Sequence, residues 1–216
     1  MSYALLVYVC GSRKYTGAFY ISIMRRLQMN GTKTRITIAV MAKIGALAAI
    51  AVGLMFLEFP IFSAYPWLKM DFADVPALIG GFALGPVAGV LIEFIKIVFS
   101  FILKNSGTGG IGELANLTLG VALVLPAALI YMSRKSKKRA VAGLCAGSVL
   151  MTVLAPVLNY FVLIPLFIQF LPQGFDVGLY LVAGAIPLTA IKAVAQSILV
   201  ILLYKRLSGI LHKQPA

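Results

Sequence analysis

Acidic residues are scarce in this sequence: six Asp and Glu stand against nineteen Lys and Arg, a formal net charge of +13. Charge of either sign is also thin, at 12% of 216 residues, where a soluble domain carries about 25%. Cysteine and histidine are nearly absent. Cys10 lies near the start and Cys145 inside an apolar run, which argues against a structural disulfide. The single histidine, His212, sits in the polar tail LHKQPA. One His and two distant Cys cannot supply a metal cluster of ordinary spacing. That His also lies too far from the apolar segments to activate a serine within them. The positive charge does not indicate nucleic acid, because the basic residues cluster between apolar runs without interleaved aromatics. In membrane proteins Lys and Arg collect in cytoplasmic loops, and this pattern fits that rule.

What is abundant is apolar sequence, 61% of the chain. Several runs reach the about 20 residues that cross a ~30 Å hydrocarbon core, so the chain is expected to be an all-α polytopic membrane protein. Residues 1–28 mix the apolar patch YALLVYVC with Arg13, Lys14, Arg25 and Arg26. Their charges follow the apolar patch rather than precede it, unlike a signal peptide. The segment is expected to be a poorly ordered basic extension, or a start-site overextension with the natural start at Met24 or Met29. Residues 29–207 form the membrane domain and 208–216 a cytoplasmic tail.

The spans predicted are Ile36–Leu57, Ala77–Leu103, Leu114–Met132, Ala140–Phe170 and Val177–Tyr204. Lys33 and Arg35 precede the first, and the acidic segment Glu58 to Asp74 follows it, placing that loop outside. RKSKKR, Arg134 to Arg139, is the most basic loop and lies inside. An odd number of crossings must separate the two loops, so Ala77–Leu103 contributes two, reversing at Gly85-Pro86. The result is six helices with both termini cytoplasmic. The second is short, about 15 residues or 22 Å, and needs shelter from lipid.

Polar residues inside such helices are expensive and each is a site candidate. Lys192, in IPLTAIKAVAQS, shares a face with Thr189 and Gln196 at spacings of three and four. Asn159, in LNYFVLIP, offers a donor and an acceptor suited to a hydroxylated or heterocyclic ligand. Its alternative is an interhelical hydrogen bond; that of Lys192 is snorkelling to water. Glu113 and Asn116, in GELAN, stand one turn apart at a helix start, where an acid also suits the helix dipole. Glu93 and Lys96 are expected to neutralise one another. GTGGIGE lacks the GK[ST] ending of a nucleotide cradle. In WLKMDFADVPAL, Asp71 and Asp74 suit a helix start, while Trp67, Leu68 and Lys69 suit a lid. Ala42, Gly45, Ala46, Ala49 and Gly53 form a small-residue stripe on the first helix. Such stripes serve close packing, either within one chain or against a second membrane protein.

WLKMDFADVPALIGGFALGP, GTGGIGELAN, LNYFVLIP and IPLTAIK together resemble the riboflavin-specific S component of energy-coupling factor (ECF) vitamin transporters, over about Met29 to Leu207. The resemblance implies a cell-membrane subunit that binds riboflavin from outside, docks on a transmembrane T component with two ATPases, and topples to release its cargo inward. It implies no cofactor, since riboflavin is the transported ligand. Contacts from the first external loop and the fourth, fifth and sixth helices are implied, among them Asn159 and Lys192. The small-residue stripe corresponds to the T-component contact. Relatives often carry Asn where this chain has Thr189. Other readings are an S component for another vitamin, a stand-alone secondary carrier with internal repeats, or a membrane-embedded enzyme using Asp71, Asp74 and Glu113.

Overall fold

A computed structural model describes residues 38–63, 65, 67–104, 109–167 and 175–211, with side chains described to residue 203. The chain divides into two compact units, Met1–Ala39 and Val40–Ala216, and the described residues lie almost wholly in the second. The expectations for residues 1–28, Cys10, His212 and the last five residues of the tail, 212–216, fall outside the described residues, as do residues 105–108 of the glycine-rich loop; residues 208–211, expected in the tail, continue the last helix.

Among the described residues there are six helical segments. The first, α1, spans Ile38–Met55. A two-residue hairpin follows, β1 (Phe59–Pro60) against β2 (Lys69–Met70), antiparallel, with Phe59 opposite Met70 and Pro60 opposite Lys69. Then come α2 (Val75–Leu84) and α3 (Pro86–Lys104), then α4 (Ile111–Ser133) and α5 (Lys137–Phe167). The last, α6, begins at Val177–Tyr180 and runs on through Ile186–Leu211. Five of these are long and apolar enough to cross a membrane; α2 is the shorter apolar helix.

The division of Ala77–Leu103 into two helices falls where expected. Gly85 takes φ 108°, a conformation open mainly to glycine. Pro86, needing no intrahelical donor at a helix start, opens α3. The ten residues of α2 reach about 15 Å, less than the sequence suggested, because Asp71 to Asp74 are turn rather than helix. All of α2 but its last two residues is buried, between α3, α4 and α6. Close approach here depends on glycine: a Cβ on Gly89 would lie 3.0 Å from Gly81 Cα and 3.1 Å from the Ala77 carbonyl oxygen. The core joins Leu78, Ile92, Leu123, Tyr131, Leu144 and Met151 from α2 to α5.

A second close crossing was open to recognition in the sequence as GLCAG, small residues four apart. Gly143 and Gly147 lay α5 against the α4 backbone. A Cβ at Gly143 would sit 2.6 Å from the Ala127 oxygen, and one at Gly147 would collide with the Leu123 oxygen.

Two helices widen for one turn, α5 at Asn159–Leu163 and α6 at Leu181–Ala185. Each wide turn ends one residue before an Ile-Pro pair, Ile164-Pro165 and Ile186-Pro187. A helical proline donates nothing and its ring crowds the carbonyl four residues back. The wide turn relieves that crowding, and such turns recur at functional sites. Both lie beside the cavity.

A cavity with polar groups among the helices

Met55 of α1, Glu58, Trp67 to Lys69, Asp71, and residues of α3, α4, α5 and α6 line a cavity of about 550 Å³, within the range of small-molecule sites, about 300–1,000 Å³. Its lining includes Trp67, Leu68, Lys69, Asp71, Glu113, Asn116, Asn159, Thr189 and Lys192. Of the residues expected to contact a substrate, all line this cavity except Gln196. Gln196 is fully buried behind the wall, where its amide nitrogen donates to the Asp71 carbonyl oxygen at 3.2 Å and to Asp74 Oδ2 at 2.9 Å.

Behind that wall lies an ionic network. Lys192 Nζ reaches Asp71 Oδ2 at 2.9 Å and Asp74 Oδ2 at 3.4 Å. Lys96 pairs with Asp74 Oδ1, and with Glu93 Oε2 at 2.5 Å. The Lys192 ammonium is thus neutralised within the protein instead of snorkelling to the surface. Glu93 and Lys96 do pair as expected, but Lys96 is shared with Asp74. Among the described residues no well-aligned hydrogen bond reaches either Glu93 oxygen, and the carboxylate packs against Gly120, where an added Cβ would lie 2.5 Å from Oε2. Buried charges persist when paired, and two ammoniums interleave three carboxylates here.

The acids of the loop play different parts from those expected of a helix start. Asp74 occupies the N-cap of α2 without any side-chain capping bond; its carboxylate, fully buried, turns instead to Lys96, Lys192 and Gln196. Asp71 closes a local turn, Oδ1 accepting from the Ala73 amide at 2.9 Å, while Oδ2 holds Lys192. The three acids that an enzyme would use do not converge: Asp71 and Asp74 are bound to lysines, and of the three only Asp71 and Glu113 line the cavity. Among the described residues no group of three His, Cys, Asp or Glu could hold a metal ion.

On the cavity wall itself, Asn159 donates to the Ala155 oxygen at 2.8 Å and accepts from the Tyr180 hydroxyl at 2.8 Å. Tyr180 went unremarked in the sequence, since one aromatic in a membrane span carries no signal. It belongs to an aromatic group with Tyr65, Trp67 and Phe175, ring centroids 5.1 to 6.3 Å apart. Gly184, in the wide turn of α6, admits this loop: its Cβ would lie 3.0 Å from both Leu68 and Tyr65 side chains.

At another edge of the lining, Glu58 ties three elements together. It accepts from Lys69 on β2 at 2.5 Å and pairs with Lys104 at the end of α3. Partial burial pushes the Glu58 carboxyl up, but Lys104 and Lys69 outweigh it and hold the group below its ordinary range.

The small-residue stripe stands apart from the cavity. Ala42, Gly45, Ala46, Ala49 and Gly53 are all exposed, whereas Ala48, Ala51 and Met55 form the buried side of α1.

Helices long and apolar enough to cross a membrane, around a largely apolar cavity with a few polar groups in its wall, fit a membrane-embedded small-molecule binder. The pattern describing the ECF transporter substrate-specific component matches residues 39–204, and the chain belongs to this family. The riboflavin transporter RibU of Staphylococcus aureus is 35% identical over 192 residues, 88% of this chain and 97% of the relative. The riboflavin transporter FmnP of Bacillus subtilis is 34% identical over 176 residues, 79% and 93% of the two chains. A solved S component of a bacterial ECF transporter superposes with a TM-score of 0.70 at 36% identity, covering 81% of this chain and 98% of that one. The relatives are transporters, and the chain is a transport component rather than an enzyme.

Proposed function

We propose that this chain is the riboflavin-binding subunit of an ATP-driven ECF importer of the cell membrane. The observation that carries the reading is the convergence of Asn159, Thr189 and Lys192 with Trp67 and Leu68 around one cavity, in a chain whose relatives are named riboflavin transporters. Riboflavin has a flat ring with polar edges and a chain of hydroxyls. Aromatic and aliphatic residues suit the ring faces, while Asn116, Asn159 and Lys192 suit the polar groups. The basic loop Arg134 to Arg139 faces the cytoplasm with both termini, so the cavity loads from outside. Trp67, Leu68 and Lys69 cover the loaded pocket as a lid. The subunit then docks through the small-residue face of α1 on a T component bearing two ATPases.

Purification from cells followed by an absorption spectrum tests the reading. A flavin spectrum, or its appearance on adding riboflavin, is the expected result. A colourless preparation that takes up no riboflavin but retains another vitamin would reassign the substrate. Riboflavin uptake by this chain alone, with no T component or ATPase, would make it a stand-alone carrier.

A further inference from the structure

Arg134, Lys135, Lys137, Lys138 and Arg139 crowd five cations into six residues at the turn between α4 and α5, and all five are exposed. Among the described residues no carboxylate pairs with any of them. The six acids of the chain are placed elsewhere. Glu58, Asp71, Asp74 and Glu93 hold other lysines, and Asp176 caps the start of α6. Glu113 stands at the far end of the 23-residue α4, about 35 Å away. Two of the five cations have local roles. Arg134 suits the negative end of α4, and Arg139 Nη1 donates to Ser133 Oγ at 3.0 Å. Lys137 and Lys138, by contrast, open α5, where the helix dipole is positive and favours acids. Helical side chains lean toward the N-terminus, so these two are directed beyond the end of α5. Behind Lys138, at spacings of three and four, Val141, Ala142, Cys145 and Val149 leave the same face of the helix exposed and apolar. A cluster of ammonium groups thus heads an apolar track.

We propose that this turn binds an anionic phospholipid, its phosphate among Lys135, Lys137 and Lys138 and an acyl chain along Val141, Ala142, Cys145 and Val149. A free anion would use the charge and leave the track bare. An acidic protein would meet the charge only outside the bilayer. A lipid satisfies both parts at once. Such a contact requires only that α4 and α5 cross a membrane, and it is independent of the vitamin carried.

Native mass spectrometry of the purified full-length protein tests this, in neutral detergent with equal amounts of phosphatidylglycerol and phosphatidylcholine. The wild type should retain phosphatidylglycerol by about tenfold or more over phosphatidylcholine, since each basic residue at an anionic surface is worth roughly fivefold. High salt should erode that preference. The triple variant Lys135→Gln, Lys137→Gln, Lys138→Gln should lose about tenfold of it, with a melting temperature in phosphatidylcholine at or above that of the wild type. Lys138→Gln alone gives the same comparison, at about fivefold, should the triple variant not fold. Equal retention of the two lipids by the wild type would overturn the proposal. An undiminished preference in the triple variant would overturn it too, by seating the lipid on another basic segment. Inorganic phosphate that displaces the lipid at equal concentration would reduce the turn to a free-anion site. A variant that keeps its lipid but no longer co-purifies with the ATPases would make the turn a protein contact instead.

Discussion

Lys192 serves the cavity and the interior at once, and its removal should show both roles. Lys192→Ala and Asn159→Ala should each weaken riboflavin binding by about 1–3 kcal/mol, as for a buried hydrogen bond left unmade. Only the first also strips Asp71 of its cation, so it should lower the melting temperature more than Asn159→Ala does. Lys96→Ala is the contrast: it removes a partner of Asp74 and Glu93 away from the cavity lining, at a cost of about 3–5 kcal/mol in stability. Calorimetry and thermal melts on the three variants separate the effects. Unchanged affinity in both wall variants would remove Lys192 and Asn159 from the site. Lys192 was legible in the sequence because a charge within an apolar helix needs an explanation. Its partner was not, for Asp71 lies 121 positions away. Asp74 reads as an acid at a helix start, and only packing of α2 against α3 and α6 reveals it as the centre of the network.

Elements were easier to foresee than contacts between them. Charge parity divides Ala77–Leu103 into two helices at Gly85-Pro86, and the structure reverses there. Hydropathy also locates the long spans to within a few residues. It does not report which faces touch, because lipid and protein interior are equally apolar. The stripe on α1 was visible as small residues, yet the close crossings among the described helices rely on other glycines, Gly81 and Gly89 and then Gly143 and Gly147. The wide turns escaped notice for a related reason: an Ile-Pro pair announces a disturbance in a helix but not whether the helix kinks, ends or widens. Gly147→Leu should force α4 and α5 apart, destabilising the protein by at least the about 1–3 kcal/mol of ordinary overpacking, since the obstacle is backbone that cannot rotate away. A thermal melt in detergent reads the change. An unaltered melting temperature would mean the two helices separate freely, contrary to the packing described.

For the molecule as a whole, the informative fact is that α1 turns its smooth side away from its own bundle. Ala48, Ala51 and Met55 face inward, while the five stripe residues remain exposed. Packing within the described chain therefore does not account for the stripe. In lipid, a small-residue face gains nothing by exposure but allows another helix to approach closely. Under the proposed importer, that second helix belongs to the T component. A bulky residue at the centre of the stripe should then separate two activities that a general folding defect would lose together. Ala46→Trp adds a ring on the exposed face, away from the cavity, so riboflavin affinity should stay within about twofold of wild type, well under 1 kcal/mol. Co-purification with the T component and ATPases should fall about tenfold or more, as a partner helix is held off. ATP-driven uptake in proteoliposomes should fall in parallel. Undiminished assembly and uptake in Ala46→Trp would place the docking face elsewhere, whereas loss of riboflavin binding as well would show that α1 supports the pocket rather than the partner.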